Sequence, residues 1–393
     1  MTFVKTVDRL TPGMNSASLW SLKELPLTEI FGAFDASFPA FDQELLIDLS
    51  SGHVSLRHQL DPEFLYSPEN YAFRTGIDEK TGFELDFFTK FISTLGMVSH
   101  QGQKSRALEF GASNLVLARL LSSGFDEVVA VDPLLSGVEG QKSDQNILVS
   151  GVMLEQHLRH DFELNDLIVA RHTLEHVSNP VEILVELAQR LKPRGKIVFE
   201  VPDLDAIVAK GRFDAVFHQH FHYYDLDSLN YFASVSGLRV ISWARNAAGS
   251  NGGSLIVALE KGRADFLADS ERVDSKVSRI LKALELFRKM YSVMEENAKQ
   301  FRGPRYVYGA AIMLPTFDYH MKGSVKDIGL VVDDDEAKVG LNFKNLPVDV
   351  VHTSSIDSYE KSMVVIGSLE NARSMAARIR ELRPLVALGP SIY

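Results

Sequence analysis

The sequence of 393 residues contains no cysteine. Disulfides, thiolate zinc sites and a cysteine nucleophile are therefore excluded. The absence fits a reducing compartment. No run of about 18 apolar residues is present to span a bilayer. The opening "MTFVKTVDRL" lacks the apolar core of a secretory signal. There is no excess of basic residues: 41 Lys and Arg stand against 52 Asp and Glu, a net charge of -11. That balance argues against nucleic acid or an anionic membrane as partner, although a local basic patch could still serve a phosphorylated ligand. Internal repeats and low-complexity tracts are also missing. These absences together describe a soluble, cytoplasmic protein.

What is present is an ordinary globular composition, 45% hydrophobic and 24% charged, long enough for two or three domains. Residues 1–80 read as an irregular N-terminal module, with turn formers in "LTPGMNS" and "DLSSGH". In "GFELDFFTKFISTLG", Phe83, Phe87, Phe88, Phe91 and Ile92 recur at helical spacing. Strand and helix patterns then alternate: "RALEFG", "NLVLARLLSSG", "EVVAVD", "DLIVARHTLEH", "NPVEILVELAQRLKPRG" and "KIVFEVPD". "RVISWAR" and "GSLIVALEK" close the unit as two late strands able to pair antiparallel. This alternation predicts an α/β fold with a doubly wound, Rossmann-like sheet over 81–262. Residues 263–302 read as a helical connector with one apolar face, and 303–393 as a C-terminal α/β domain.

In such sheets ligands bind beyond the carboxyl ends of the strands. The first central strand runs into Glu109, Phe110, Gly111 and Ala112, and the second ends at Asp132 and Pro133. Gly111 permits close backbone approach, and Asp132 is an acceptor suited to the two hydroxyls of a ribose. The full G-x-G-x-x-G fingerprint is missing. One glycine after an acid suits a ligand with no pyrophosphate, which points to S-adenosylmethionine rather than NAD. Ala170, Arg171 and His172 end the strand that would complete the cleft.

"ALEFGASN", "VVAVD", "DLIVARHTLEHVSNP", "LKPRGKIVFEVPDL", "FDAVFHQHFHYYDLDSL" and "NGGSLIV" follow one another in a single order. This series resembles the class I methyltransferase family that includes the sugar C-methyltransferases of deoxysugar biosynthesis. "VYGAAIMLPTFDY" and "LVVDDDEAKVGLNFKNLPVDVV" resemble the C-terminal α/β domain of that family. "LIDLSSGHVSLRHQLDPEFLYSPENYAFRTG" resembles the end of its zinc-binding module. The resemblance implies S-adenosylmethionine as cofactor and a nucleotide-linked sugar as substrate. It also implies a structural zinc held by four cysteines, which this chain lacks. Asp48 and Ser51 stand in place of the second cysteine pair, so the module is expected to hold by packing alone.

The family's usual motif of tyrosine, any residue, glutamate and histidine reads here Phe217, His218, Gln219 and His220. Only the histidine matches. The family's upstream tyrosine falls near Phe73, with Tyr71 two residues earlier as its substitute; Tyr71, Phe73 and Arg74 could close over the cofactor, aromatic faces toward the sulfonium. His176 matches a second family histidine. The resemblance thus makes His220 the general base, with His176, Gln219, His218 and Tyr71 assisting. Carbon methylation follows from the family, whereas the lost tyrosine and glutamate suit oxygen or nitrogen methylation. His222, Tyr224, Asn251, Gly252 and Gly253 are candidates for the substrate side; Asn251 replaces the histidine of a family histidine-glycine-glycine loop.

Two alternatives stand beside this reading. His218, His220 and His222 would share one face in a strand, and with His172, His176 and Glu175 they could build a metal site. The family motif accounts for His176 and His220 without one, so no metal is assigned. The other alternative is a non-catalytic, ligand-binding homologue. The acidic run Asp333-Asp334-Asp335 reads as a structural or ribose-facing loop rather than a magnesium site. Oligomeric state stays open.

Overall fold

The computed structural model describes residues 15–28, 30–65, 79–96, 104–137, 146–263 and 269–390. Tyr71, Phe73 and Arg74 lie outside them. Among its described residues the N-terminal region is not irregular. Strands β1 (Ser16–Pro26), β2 (Ala40–Asp48) and β3 (Val54–Leu56) form an antiparallel ladder. The turn formers of "DLSSGH" separate β2 from β3 instead of replacing them.

That turn is built on Asp48. Its Oδ1 accepts from Ser50 N at 2.8 Å, Ser50 Oγ at 2.5 Å, Ser51 N at 2.7 Å and Ser51 Oγ at 3.0 Å. Burial pushes the Asp48 carboxyl up, but these bonds outweigh it and hold it below the ordinary range. The expectation of packing alone is therefore corrected. A carboxylate turn stands where the resemblance places a cysteine pair.

The central sheet comprises β4 (Arg106–Phe110), β5 (Glu127–Val131), β6 (Ile147–Ser150), β7 (Asn165–Arg171) and β8 (Leu191–Pro202). After the two-residue β9 (His222–Tyr223), β10 (Leu238–Asn246) and β11 (Ser254–Lys261) complete it. The order is β10-β11-β8-β7-β4-β5-β6, with β4 to β8 parallel and β10 and β11 antiparallel. Both faces are apolar. Leu108, Phe110, Ile168 and Phe199 pack on one side, and Ala107, Val128, Val169 and Val198 on the other. Strand β6 was not expected. The helix Pro180–Gln189 is shorter than expected, because "LKPRG" belongs to β8. In the helix Glu79–Thr94 Phe88 is buried, but Phe83 points to solvent, off the expected apolar face.

The helix Ser270–Gln300 carries a stripe of Ile280, Leu284, Phe287, Tyr291, Met294 and Ala298. This stripe joins a core shared by the N-terminal sheet and the C-terminal unit; Trp20 meets Phe287 edge-on at 5.8 Å. The C-terminal unit is a parallel sheet of β12 (Arg305–Tyr308), β13 (Leu330–Asp333), β14 (Asp349–His352), β15 (Met363–Ile366) and β16 (Val386–Leu388), ordered β14-β13-β12-β15-β16. Its acidic run is held by the chain's own donors. Asp333 accepts from Ala310 N at 2.8 Å, and Asp334 from Tyr308 Oη at 2.8 Å and Arg378 Nε at 2.6 Å. Among the described residues no helix is long and apolar enough to cross a membrane.

Candidate active site

The cleft forms where β4, β5, β7 and β8 end. Gly111 leaves β4 at φ +72°, and a Cβ there would stand 2.0 Å from Thr173 Oγ1. Only glycine lets the loop lie against the end of β7. Ser113 and Leu115 also carry positive φ, 37° and 63°. The loop is fixed from β5: Gly111 N donates to Val131 O at 2.9 Å, and Ser113 N to Asp132 Oδ2 at 2.8 Å. Asp132 Oδ1 accepts from Leu134 N at 2.8 Å and caps the short turn that Pro133 starts. Burial raises the Asp132 carboxyl against those two amides. Each oxygen keeps a further lone pair for a hydroxyl.

Glu109 is buried, and its Oε2 has no hydrogen-bond partner. Burial pushes its carboxyl up to about 8, with Arg171 opposing and Asp132 adding. An orphaned acceptor, a cradle a Cβ would fill and a second carboxylate fit the ammonium, backbone contact and ribose of S-adenosylmethionine. Ala112 and Ala170 are buried at the same strand ends. Arg171 turns inward instead: Nε donates to Glu200 Oε2 at 2.5 Å, and Nη2 lies 3.8 Å from Glu84 Oε2.

The three alternate histidines do not share a face. His220 N donates to Phe217 O at 3.1 Å, so residues 217–220 turn rather than extend. Each ring then meets a different neighbour. His218 bonds Leu25 O through Nε2 at 3.0 Å and Gln43 Nε2 through Nδ1 at 3.3 Å. His222 Nδ1 meets His53 Nε2 at 2.9 Å, because β9 pairs with β3. Burial holds both rings neutral, each with its pKa pushed down to about 4. Gln219 Oε1 accepts from Thr28 Oγ1 at 3.3 Å. Tyr224 is buried in the core and donates to Leu174 O at 3.3 Å. Side chains of His218, Gln219, His222 and Tyr224 therefore tie the loop to its surroundings.

His220 alone of the three joins the cleft. Its ring lies edge-on to His176 with centroids 5.0 Å apart, and its Nδ1 has no hydrogen-bond partner. Burial, then the His176 charge, pushes its pKa down to about 3. His176 Nδ1 meets Gln219 O at 2.7 Å, and its Nε2 stands 3.9 Å from Glu175 Oε1. His172, held at φ 47°, brings Nδ1 to 3.6 Å from the same oxygen. His172 and His176 are not stacked along a helix; a bend and a short turn set both around Glu175. Glu175 is fully buried, and neither of its oxygens has a hydrogen-bond partner. Burial opposes its ionisation, but the three surrounding imidazoles outweigh it and lower its pKa.

The loop "SNGGSL" is the hairpin between β10 and β11. Asn251 takes φ 58°, Gly252 +92° and Gly253 +149°. It packs on the helix Leu204–Lys210: Lys210 Nζ donates to Gly252 O at 2.5 Å. Ser250 Oγ reaches Glu84 Oε1 at 2.9 Å, and Ser254 Oγ reaches Glu200 Oε1 at 2.6 Å. The network Glu84–Arg171–Glu200–Ser254 and the residue Thr173 were not anticipated. An acid inside the apolar run "KIVFEVPD" was the available signal for Glu200.

Residues 85–242 match a family described as methyltransferase domain. A C-methyltransferase, NovU, of Streptomyces niveus is 27% identical over 54% of this chain and 50% of its own. A ubiquinone biosynthesis O-methyltransferase of Rickettsia typhi is 34% identical over 23% of this chain and 39% of its own. The chain thus spans half or less of the length of these curated relatives. The N-methyltransferase NodS of Bradyrhizobium japonicum, in complex with S-adenosyl-L-homocysteine, aligns over 51% of this chain and 92% of its own at 16% identity, with a TM-score of 0.36. Residues 85–242 are thus similar to a methyltransferase domain, and S-adenosylmethionine is the donor such a domain uses.

Proposed function

We propose that this chain, with a methyltransferase domain at its centre, transfers a methyl group from S-adenosylmethionine to a small polar metabolite of the nucleotide-linked sugar class. The observation that carries the reading is the group Glu109, Gly111 and Asp132 at the strand ends, with one buried carboxylate oxygen unmatched. The donor supplies a methyl group on a sulfonium, already activated for attack. Glu109 receives the ammonium of its amino-acid end. Asp132 accepts from the ribose, and Gly111 lets the loop close on the ligand.

The acceptor belongs beside His220, His176 and Glu175, the last two following Thr173, against which the Gly111 loop lies, by a few residues of chain. As a free base His220 matches poorly, since burial leaves it a weak proton acceptor near neutral pH. Its accessible chemistry is that of a neutral imidazole lone pair. Phe217 and Gln219 in place of tyrosine and glutamate favour a hydroxyl acceptor, and the NovU likeness favours carbon. We place the protein in the cytoplasm and divide it at 1–80, 81–262, 263–302 and 303–393.

Isothermal titration with S-adenosylmethionine and S-adenosylhomocysteine tests the reading. Micromolar binding that Asp132→Ala abolishes supports it; no binding of either ligand sinks it. His220→Ala should abolish turnover in a screen of nucleotide-linked sugars while leaving donor affinity within about twofold.

A further inference from the structure

Glu175 poses a physical problem that the donor site does not solve. A fully buried carboxylate is strongly disfavoured unless hydrogen bonds or a cation compensate it. Here neither oxygen has a hydrogen-bond partner. Around it stand nitrogen atoms rather than N–H donors at bonding distance. His172 Nδ1 is 3.6 Å from Oε1 and His176 Nε2 is 3.9 Å from it. Neither ring nitrogen of His172 has a hydrogen-bond partner, and His220 Nδ1 has none.

The tautomer of His176 adds a second, independent observation. Its Nδ1 meets the Gln219 carbonyl at 2.7 Å, so Nδ1 carries the proton and Nε2 keeps the lone pair. An imidazole held through one nitrogen by a backbone carbonyl, with the other turned toward a carboxylate, is how ligating histidines are oriented. One ligand atom each from Glu175, His176 and His220 lies within 4.8 Å of the others. Opposed ligands at bonds of about 2.1 Å stand about 4.2 Å apart, so small side-chain shifts close the set on an ion. Hydrogen bonding asks for separations nearer 2.9 Å, which these atoms do not reach.

We propose that Glu175, His176 and His220 form a binding site for a divalent first-row transition ion. Two imidazoles and one carboxylate select manganese, iron or zinc over magnesium or calcium. Three protein ligands leave positions open for the oxygens of a bound metabolite. His172 and His176 are each about a quarter exposed, which gives the ion a way in. The catalytic consequence rests on the methyl-transfer reading. The acceptor hydroxyl binds the ion through oxygen and loses its proton to solvent, and the resulting alkoxide takes the methyl group as the C–S bond breaks and S-adenosylhomocysteine leaves. No oxidant or reductant is needed.

The site itself is tested without turnover. Full-length, untagged protein is stripped with chelator and titrated with Mn²⁺ and with Zn²⁺. We expect one ion per chain, lost at least tenfold in affinity in Glu175→Gln and His220→Ala and unchanged in His352→Asn, a histidine on the C-terminal sheet. Pulsed EPR of the Mn²⁺ form should show coupling to imidazole nitrogen, which decides the point on the unaltered chain if a variant misfolds. No stoichiometric binding, or binding without nitrogen coupling, overturns the proposal. Donor titration runs in parallel. Donor binding without metal sinks the metal site alone, and metal binding without donor sinks the methyl-transfer reading alone.

Discussion

Glu109 is the residue whose environment makes the sharpest statement. The folded chain holds its proton up to about pH 8, whereas an ordinary glutamate releases it near 4.5. Its stabilisation is therefore complete below about 4.5 and is lost as pH rises through about 8. Glu109→Gln should flatten the dependence of Tm on pH between 5 and 8, as read by differential scanning fluorimetry; an unchanged slope contradicts the assignment. The same carboxyl must ionise to receive an ammonium. Donor binding at pH 7 should then release about one proton, visible as a dependence of titration heat on the buffer's ionisation enthalpy. Gly111 makes a second statement at this scale. A methyl group there meets Thr173 in a left-handed backbone, so Gly111→Ala should weaken donor binding at least tenfold while the far-ultraviolet circular dichroism spectrum stays native. The strand ends that carry Glu109, Gly111 and Asp132 were legible because a strand end followed by glycine has a recognisable pattern. The histidines were not. Period two suggested a strand, yet their neighbours come from Leu25, Gln43, His53 and Glu175. Partners so distant in sequence leave no local trace.

At the scale of elements, the helix Ser270–Gln300 decides how the regions cohere. Phe287 is buried between Trp20 of β1 and Tyr291 of its own helix, with ring centroids at 5.8 Å and 4.8 Å. Phe287→Ala should cost about 3–5 kcal/mol in urea unfolding. If the shared core is real, the loss appears in one cooperative transition and not in a separate C-terminal step. The buried parallel strands were legible from continuous apolar runs ending in glycine or an acid. Strand β6 was not, because it lies at the sheet edge with Leu148 exposed and offers neither a full apolar run nor clean alternation. Strand β1 was missed for a different reason. Its register breaks between Ser18 and Trp20 and again between Leu22 and Leu25, so period two never runs long enough to be seen.

For the molecule as a whole, the carboxylate turn at Asp48 changes what a chelator can do. In the resemblance this module depends on zinc; here Asp48 draws in the Ser50 and Ser51 amides and hydroxyls directly. Exhaustive chelation should leave the circular dichroism spectrum and the cooperativity of unfolding intact, even while it removes the ion proposed at Glu175. Asp48→Ala should by contrast lower stability by about 1 kcal/mol, since the part-buried Ser51 amide loses its acceptor while that of Ser50 can turn to water. With no sulfhydryl anywhere in its 393 residues, the chain also has no thiol for disulfide reagents or soft electrophiles to alkylate or oxidise at that module. It can be coupled through an introduced cysteine at a chosen site, and a thiol-directed label will find one address only.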